Sequence, residues 1–152
     1  MQSLPPLNLP DASPRLRLTP EGRREIFDPL RGKFVALTPE EWVRQHFTAF
    51  LVTSLGYPRG LMANEVSLRL NTTLRRCDTV VYAREGMHPL MIIEYKAPHV
   101  AVTQNVFDQI ARYNMVMGAP WLVVSNGLCH YCCRMGAGGY SFVGRIPPYA
   151  DL

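Results

Sequence analysis

The sequence predicts an α/β (α+β) fold, a mixed β-sheet flanked by helices. Three observations carry this. Two segments place apolar residues at helical spacing between strong capping residues. Several short apolar runs of strand length lie between and after them. The 152 residues are 47% hydrophobic and 18% charged, a globular composition for about one domain.

The elements follow in chain order. Residues 1–30 hold six of the 13 prolines (Pro5, Pro6, Pro10, Pro14, Pro20, Pro29). Proline fixes φ and removes a donor, so no regular structure is expected before about Arg23. Residues 1–22 read as a Pro-rich flexible arm, mobile or draped on the surface, and 23–152 as a single domain. Arg23 to Asp28 and Lys33 to Leu37 read as a hairpin around a Pro/Gly turn. Thr38-Pro39-Glu40-Glu41 is a helix start with a capping box, and Trp42, Val43, Phe47, Phe50 and Leu51 follow at helical spacing. Gly56-Tyr57-Pro58 stops that helix. Strand-like runs cover Leu61 to Leu70, Asp78 to Ala83 and Leu90 to Tyr95. A second helix spans about Thr103 to Met117, with Val106, Ile110, Tyr113 and Met117 on one face and Gly118 as C-cap. Trp121 to Ser125 is an apolar strand, Asn126-Gly127 signals a tight hairpin, and Leu128 to Met135 returns. A loop at Gly136 to Gly139 and a Pro-ended tail complete the chain.

Several classes are excluded at this stage. The longest apolar run falls far short of the roughly 20 residues that span a bilayer. The N-terminus lacks a basic cluster followed by an apolar core, so no secretory signal is expected and a cytoplasmic protein is predicted. The net charge of +4 permits a polyanionic partner without demanding one, although 14 of the 16 basic residues are arginine, whose planar donors suit phosphate. Cys129-His130-Tyr131-Cys132-Cys133 contains one Cys-x2-Cys with no second pair, and a strand there sends Cys129 and Cys132 to opposite faces. Reduced cysteines are expected. His46 reads as helix packing and His99 as loop polarity.

The chemistry concentrates at Arg76-Cys77-Asp78 and Glu94-Tyr95-Lys96, with Glu65 upstream. If the two apolar runs form a hairpin centred near Gly86, positions summing to 172 face each other, and Asp78 faces Glu94 with Cβ atoms roughly 4.5–5.5 Å apart. Carboxylates that close repel unless one is protonated or a cation lies between them. Glu94 and Lys96 point to the same face. Two acids and a lysine at the end of a buried sheet suit Mg²⁺ and a phosphate substrate. The alternative is a surface salt bridge between Glu94 and Lys96 beside a solvated Asp78. Gln109 and Tyr113, at i and i+4, share a helix face.

Asp78, Glu94-Tyr95-Lys96 and Gln109-x3-Tyr113, with the preceding Glu65, resemble the PD-(D/E)XK nuclease superfamily. More closely, Arg76 to Tyr82, Ile92 to Pro98, Phe107 to Asn114 and Val124 to Gly127 resemble the N-terminal nuclease domain of type I restriction enzyme R subunits, over about Thr38 to Met135. The resemblance implies a restriction-endonuclease-like core and a metal-dependent endonuclease, with DNA as substrate and Mg²⁺ or Mn²⁺ as cofactor. It implies Asp78, Glu94 and the Tyr95 carbonyl as metal ligands and Lys96 as the catalytic lysine. Glu65 would be an acid assisting the metal or its water, and Gln109 and Tyr113 an accessory pair. Arg75, Arg76, Arg84 and Arg112 are the candidates for phosphate contact. Cys77 stands where the superfamily's proline would be. No Gly-x4-Gly-Lys-Ser/Thr loop occurs in the chain, so a translocase motor does not carry over. The alternatives are a DNA- or partner-binding module of the same fold, or a nuclease acting only with a helicase/translocase or a methyltransferase/specificity subunit.

Overall fold

The structure is a computed structural model that describes residues 4–70 and 72–152. Among these residues the chain forms a three-stranded sheet, a six-stranded sheet and two long helices. The small antiparallel sheet joins β1 (Leu16–Leu18), β2 (Arg24–Asp28) and β3 (Lys33–Ala36) in chain order. Helix α1 (Pro39–Leu55) follows. The large sheet is ordered β4 (Met62–Leu70), β5 (Thr73–Tyr82), β6 (Pro89–Tyr95), β7 (Trp121–Ser125), β8 (His130–Gly136) and β9 (Gly139–Val143). Only the β6–β7 pair is parallel, and α2 (Gln104–Met117) is its crossover. This is the mixed, restriction-endonuclease-like α/β arrangement expected from the sequence.

Both helices start and stop where the capping residues indicate. The Thr38 hydroxyl accepts from the Glu41 N–H and the Thr103 hydroxyl from the Val106 N–H. Gly56 and Gly118 end the helices in the left-handed region at φ 71° and 75°. The capping box at α1 is only half formed. The Glu41 side chain, 6% exposed, bonds Arg31 and Gln45 instead of reaching back.

Alternation along the central strands divides the core in two. Met91, Ile93, Trp121, Val123 and Cys132 join Val43, Phe47 and Leu51 of α1 on one face. Ile92, Leu122, Val124 and Cys133 join Phe107 and Ala111 of α2 on the other. The period of two in β6, β7 and β8 thus sorts neighbouring residues onto opposite helices. Tyr113 is not part of that packing face. Its ring is half exposed, and α2 buries Asn114 beside it, together with Phe107 and Ala111. The Cys129, Cys132 and Cys133 thiols are free, with the last two buried.

Regular structure begins earlier than the prolines indicate. Leu16–Leu18 pair with β2 in register Leu16↔Ile26, because Pro14 and Pro20 flank this strand without interrupting it. The arm before it lies against the domain; its residues 1–3 fall outside those described. The Trp42 indole N–H donates to the Pro5 carbonyl at 2.9 Å, and the Asn8 N–H donates to the Gly127 carbonyl at 2.8 Å. Leu7 and Leu9 pack on the α1-side core. Gly127 has φ 85°, and a Cβ there would come within 2.7 Å of Leu7. The turn at Asn126 is also longer than a two-residue hairpin: the Asn126 Oδ1 accepts from both Leu128 and Cys129 N–H groups, and β8 starts at His130. The glycines at 136–139 and the prolines after them indicate a loop and tail where the structure has strand β9. Gly136 and Gly139 close a hairpin there instead.

Removing residues 1–13 strips the two leucines and these hydrogen bonds from the core. It should cost about 2–4 kcal/mol. Thermal unfolding should show a Tm lowered by roughly 5–15 °C. An unchanged Tm would show that the arm only rests on the surface.

Candidate functional site

The β5–β6 hairpin has the register that its sequence symmetry implies. Thr79↔Ile93, Val80↔Ile92 and Val81↔Met91 all pair around Gly86, with an irregularity only at Tyr82. Asp78 therefore falls beside Glu94. Its Oδ2 accepts from the Tyr95 N–H at 2.9 Å. The Glu94 carboxyl lies next to the Asp78 carboxylate and interacts with it directly. Burial, then the adjacent Asp78 charge, push the Glu94 carboxyl well above the usual carboxylate range, with Lys96 pulling weakly the other way. A carboxyl so placed keeps its proton beside the Asp78 charge. A hard divalent cation satisfies the same two oxygens without the proton, so the donor set fits Mg²⁺ or Mn²⁺. No grouping of three or more His, Cys, Asp or Glu side chains occurs among the described residues. The remaining positions would go to a backbone carbonyl, such as that of Tyr95, and to water.

Glu65 sits opposite Asp78 in the β4–β5 ladder, between Asn64↔Thr79 and Val66↔Cys77. Its φ is 57°, left-handed for a non-glycine strand residue. The face pattern inverts there. Asn64 and Thr79 join the α1 side, whereas Val66 and Cys77 join the α2 side. Glu65 itself is held by two arginines, Arg44 and Arg76. Burial alone would raise its carboxyl, but these partners outweigh it and hold the group below its ordinary value. The expectation that Glu65 assists a metal thus meets a carboxylate already neutralised by guanidinium groups. The geometry gives it the work of anchoring Arg44 and Arg76.

Arg44 is the residue that sequence reasoning missed. It is 5% exposed on the inner face of α1. Its Nη1 donates to the Asp78 carbonyl at 2.9 Å, Nη2 pairs with Glu65, and Nε lies 3.3 Å from Glu41. The guanidinium also stands 5.7 Å from the Tyr95 ring centroid. One signal was available: a charge between Val43 and Phe47, inside an apolar stripe and three residues after Glu41. Behind it runs a second buried chain. The Tyr95 hydroxyl donates to Thr79, Thr79 donates to Asn64, and Asn64 donates to Asp28. Asp28 also accepts from Arg31 and the Leu30 N–H. Burial would raise Asp28, but these donors hold it below the usual range.

A cavity of about 340 Å³ opens on the α2 side of the sheet. It gathers Glu94, Lys96, Gln109, Tyr113, Arg75 and Arg76. The Arg75 guanidinium lies 4.0 Å from the Tyr113 ring centroid. Both arginines are on β5, which starts at Thr73 and so puts them in the sheet. Arg84 is not brought here. It lies past the far end of β5, six residues beyond Asp78 and so roughly 20 Å along the strand from Glu94 at about 3.3 Å per residue, with its guanidinium over Tyr149. Arg112 is exposed on α2 outside the cavity lining. His46 stacks on Trp42 at 4.2 Å, inside the α1 packing.

The family model described as type I restriction enzyme R protein N terminus (HSDR_N) matches residues 39–147. The chain belongs to this family. The family segment runs from the first residue of α1 past β9, and so takes in the whole large sheet and the cavity. The arm and β1–β3 lie outside it. No curated protein and no solved structure matches the chain. Membership makes this a restriction-enzyme-related domain. No described helix is long and apolar enough to cross a membrane.

Two outcomes test this electrostatic account. The raised Glu94 carboxyl means the folded chain binds more protons than the unfolded one above about pH 4.5. Its contribution is fully present below that pH and is lost as pH rises. Glu94→Gln should therefore raise the stability of the metal-free protein at pH 8 by about 1–2 kcal/mol, with a smaller gain at pH 5. Chemical denaturation at the two pH values measures this, and an equal effect at both would refute it. Arg44→Met leaves Glu65 and Glu41 without their shared cation. It should cost about 3–5 kcal/mol, and a loss under 1 kcal/mol would show that Arg44 is not the anchor.

Proposed function

We propose that the chain is a metal-dependent DNA endonuclease domain that hydrolyses phosphodiester bonds with Mg²⁺ or Mn²⁺. The single observation that carries the reading is the half-buried Asp78–Glu94 pair, whose Glu94 lines a cavity together with Lys96. Membership in the restriction family makes DNA the natural substrate class. Asp78, Glu94 and the Tyr95 carbonyl would hold the cation. When bound, it lowers the pKa of water and polarises the phosphate.

The chain's own groups do the rest. Attack of water forms a new P–O bond while the bond to the leaving sugar oxygen breaks. Lys96 shares a face with Glu94 and can orient that water and stabilise charge growing on the phosphate oxygens. Gln109 supplies an amide on the opposite wall, where it can hold a phosphate oxygen or the water. Arg75 and Arg76 at the rim neutralise neighbouring phosphates, so binding should weaken as salt rises. Tyr95 positions rather than reacts. Its N–H fixes one Asp78 oxygen and its buried hydroxyl fixes the strand.

The family's description as an N terminus favours a second reading. In it, cleavage needs a helicase/translocase or a methyltransferase/specificity subunit. Incubation with supercoiled plasmid and Mn²⁺ separates the two. The first reading expects nicking by the wild type and none by Asp78→Ala. Lys96→Ala should lower nicking at least about a hundredfold while keeping Mn²⁺ binding by calorimetry. Mn²⁺ binding without nicking would move the activity to the partnered assembly. Absence of Mn²⁺ binding would sink the metal site itself.

A further inference from the structure

We infer that the cavity beside Glu94 and Lys96 receives a nucleobase held outside any duplex, so that the domain acts on single-stranded or locally unpaired DNA. The inference rests on the nuclease reading above and adds the form of the substrate. The cavity's shape is the first argument. Ile92 and Leu122 of the sheet and Val106, Ile110 and Met117 of α2 give it an apolar lining. An apolar lining suits the face of a heteroaromatic ring. The volume of about 340 Å³ is at the small end of ligand sites. It holds one base with its sugar, whereas a base still stacked and paired in a duplex has no way in.

The mouth is the second argument. Tyr113 is 50% exposed, and its only ring partner among the described contacts is the Arg75 guanidinium. An exposed aromatic ring with a stacked arginine is the arrangement on which unpaired bases stack without sequence preference. A base on the free part of the ring leaves Arg75 close to the adjoining phosphate. The third argument is an orphan polar atom. Asn114, 2% exposed, is in the cavity lining, and its Oδ1 has no hydrogen-bond partner. Its Nδ2 is already used by the Ala119 carbonyl and the Tyr140 hydroxyl. A buried acceptor without a donor carries a desolvation penalty that a ring N–H or exocyclic amine would relieve. The charged end of the same cavity then places Glu94 and Lys96 at the backbone of the strand whose base is held.

The test uses the full chain with Ca²⁺ in place of Mg²⁺ and a short labelled DNA strand, alone or as its duplex. The single strand should bind at least about tenfold tighter, and Tyr113→Ala should remove about that factor. The slope of log K against log salt should stay unchanged in Tyr113→Ala, because no phosphate contact is lost. Tyr113→Phe should restore the affinity. A 2-aminopurine in the strand should be quenched by the wild type and not by Tyr113→Ala or the cavity-filling Ile110→Phe. Equal affinity for strand and duplex, or full quenching in both variants, overturns the inference. Plasmid nicking that depends on Asp78 but shows no strand preference would overturn this inference alone. Tyr113-dependent strand binding with no Mn²⁺ binding would instead overturn the metal-dependent reading and keep the pocket.

Discussion

The Asp78–Glu94 juxtaposition is the constraint around which the rest is arranged. Two carboxyl groups in a desolvated place repel, and nothing in their own chemistry brings them together. The register of β5 on β6 does so, and the surrounding donors hold it. The Tyr95 N–H takes one Asp78 oxygen, Arg44 takes the Asp78 carbonyl, and Thr79 is fixed from behind by Tyr95 and Asn64. The folded chain thus stores electrostatic strain at one point and distributes its restraint over α1, β2, β4 and β6. On the proposed reading, a small hard cation satisfying both oxygens would relieve this strain.

Backbone geometry contributes to the same end. A left-handed Glu65 in the middle of a strand is unfavourable on its own. It persists because its carboxylate is clamped by Arg44 and Arg76. At this level of the ladder Cys77 and Val66 lie on the α2 side, whereas Thr79 and Asn64 lie on the α1 side. One strand therefore serves both the buried network and the cavity. A regular strand would send Cys77 and Thr79 to the same face.

Much of this was legible in the residues. The β5–β6 register followed from two apolar runs placed symmetrically about Gly86, and the presence of Gln109 and Tyr113 in one cavity lining followed from helical spacing. Thr38, Gly56 and Gly118 marked helix ends because capping is local chemistry, and the structure adds Thr103 as the N-cap of α2. What stayed hidden was non-local. Glu65 read as an acid near acids, and only the tertiary structure shows that Arg44, 21 residues earlier, reaches it first. Arg84 read as one more basic residue near the motif, but the hairpin carries it to the far end of the strand. Strand β1 has three residues, too few for a period to show, and its flanking prolines argued the other way.

The support of the site crosses the boundary of the family segment. That segment begins at Pro39, yet Asp28 and Arg31 lie before it. Asp28 closes the chain through Asn64 and Thr79 to Tyr95, whose N–H holds Asp78. Arg31 bridges Asp28 and Glu41, and Glu41 in turn faces Arg44. Two routes of buried polar contacts therefore lead from the turn after β2 to the two sides of Asp78. Buried polar contacts of this kind are favourable only when every member is satisfied. Asp28 is fully buried and held ionised by its partners, so it cannot be left in place if the small sheet moves away. The small sheet is therefore part of the scaffold that sets the carboxylate geometry, even though the family pattern starts after it.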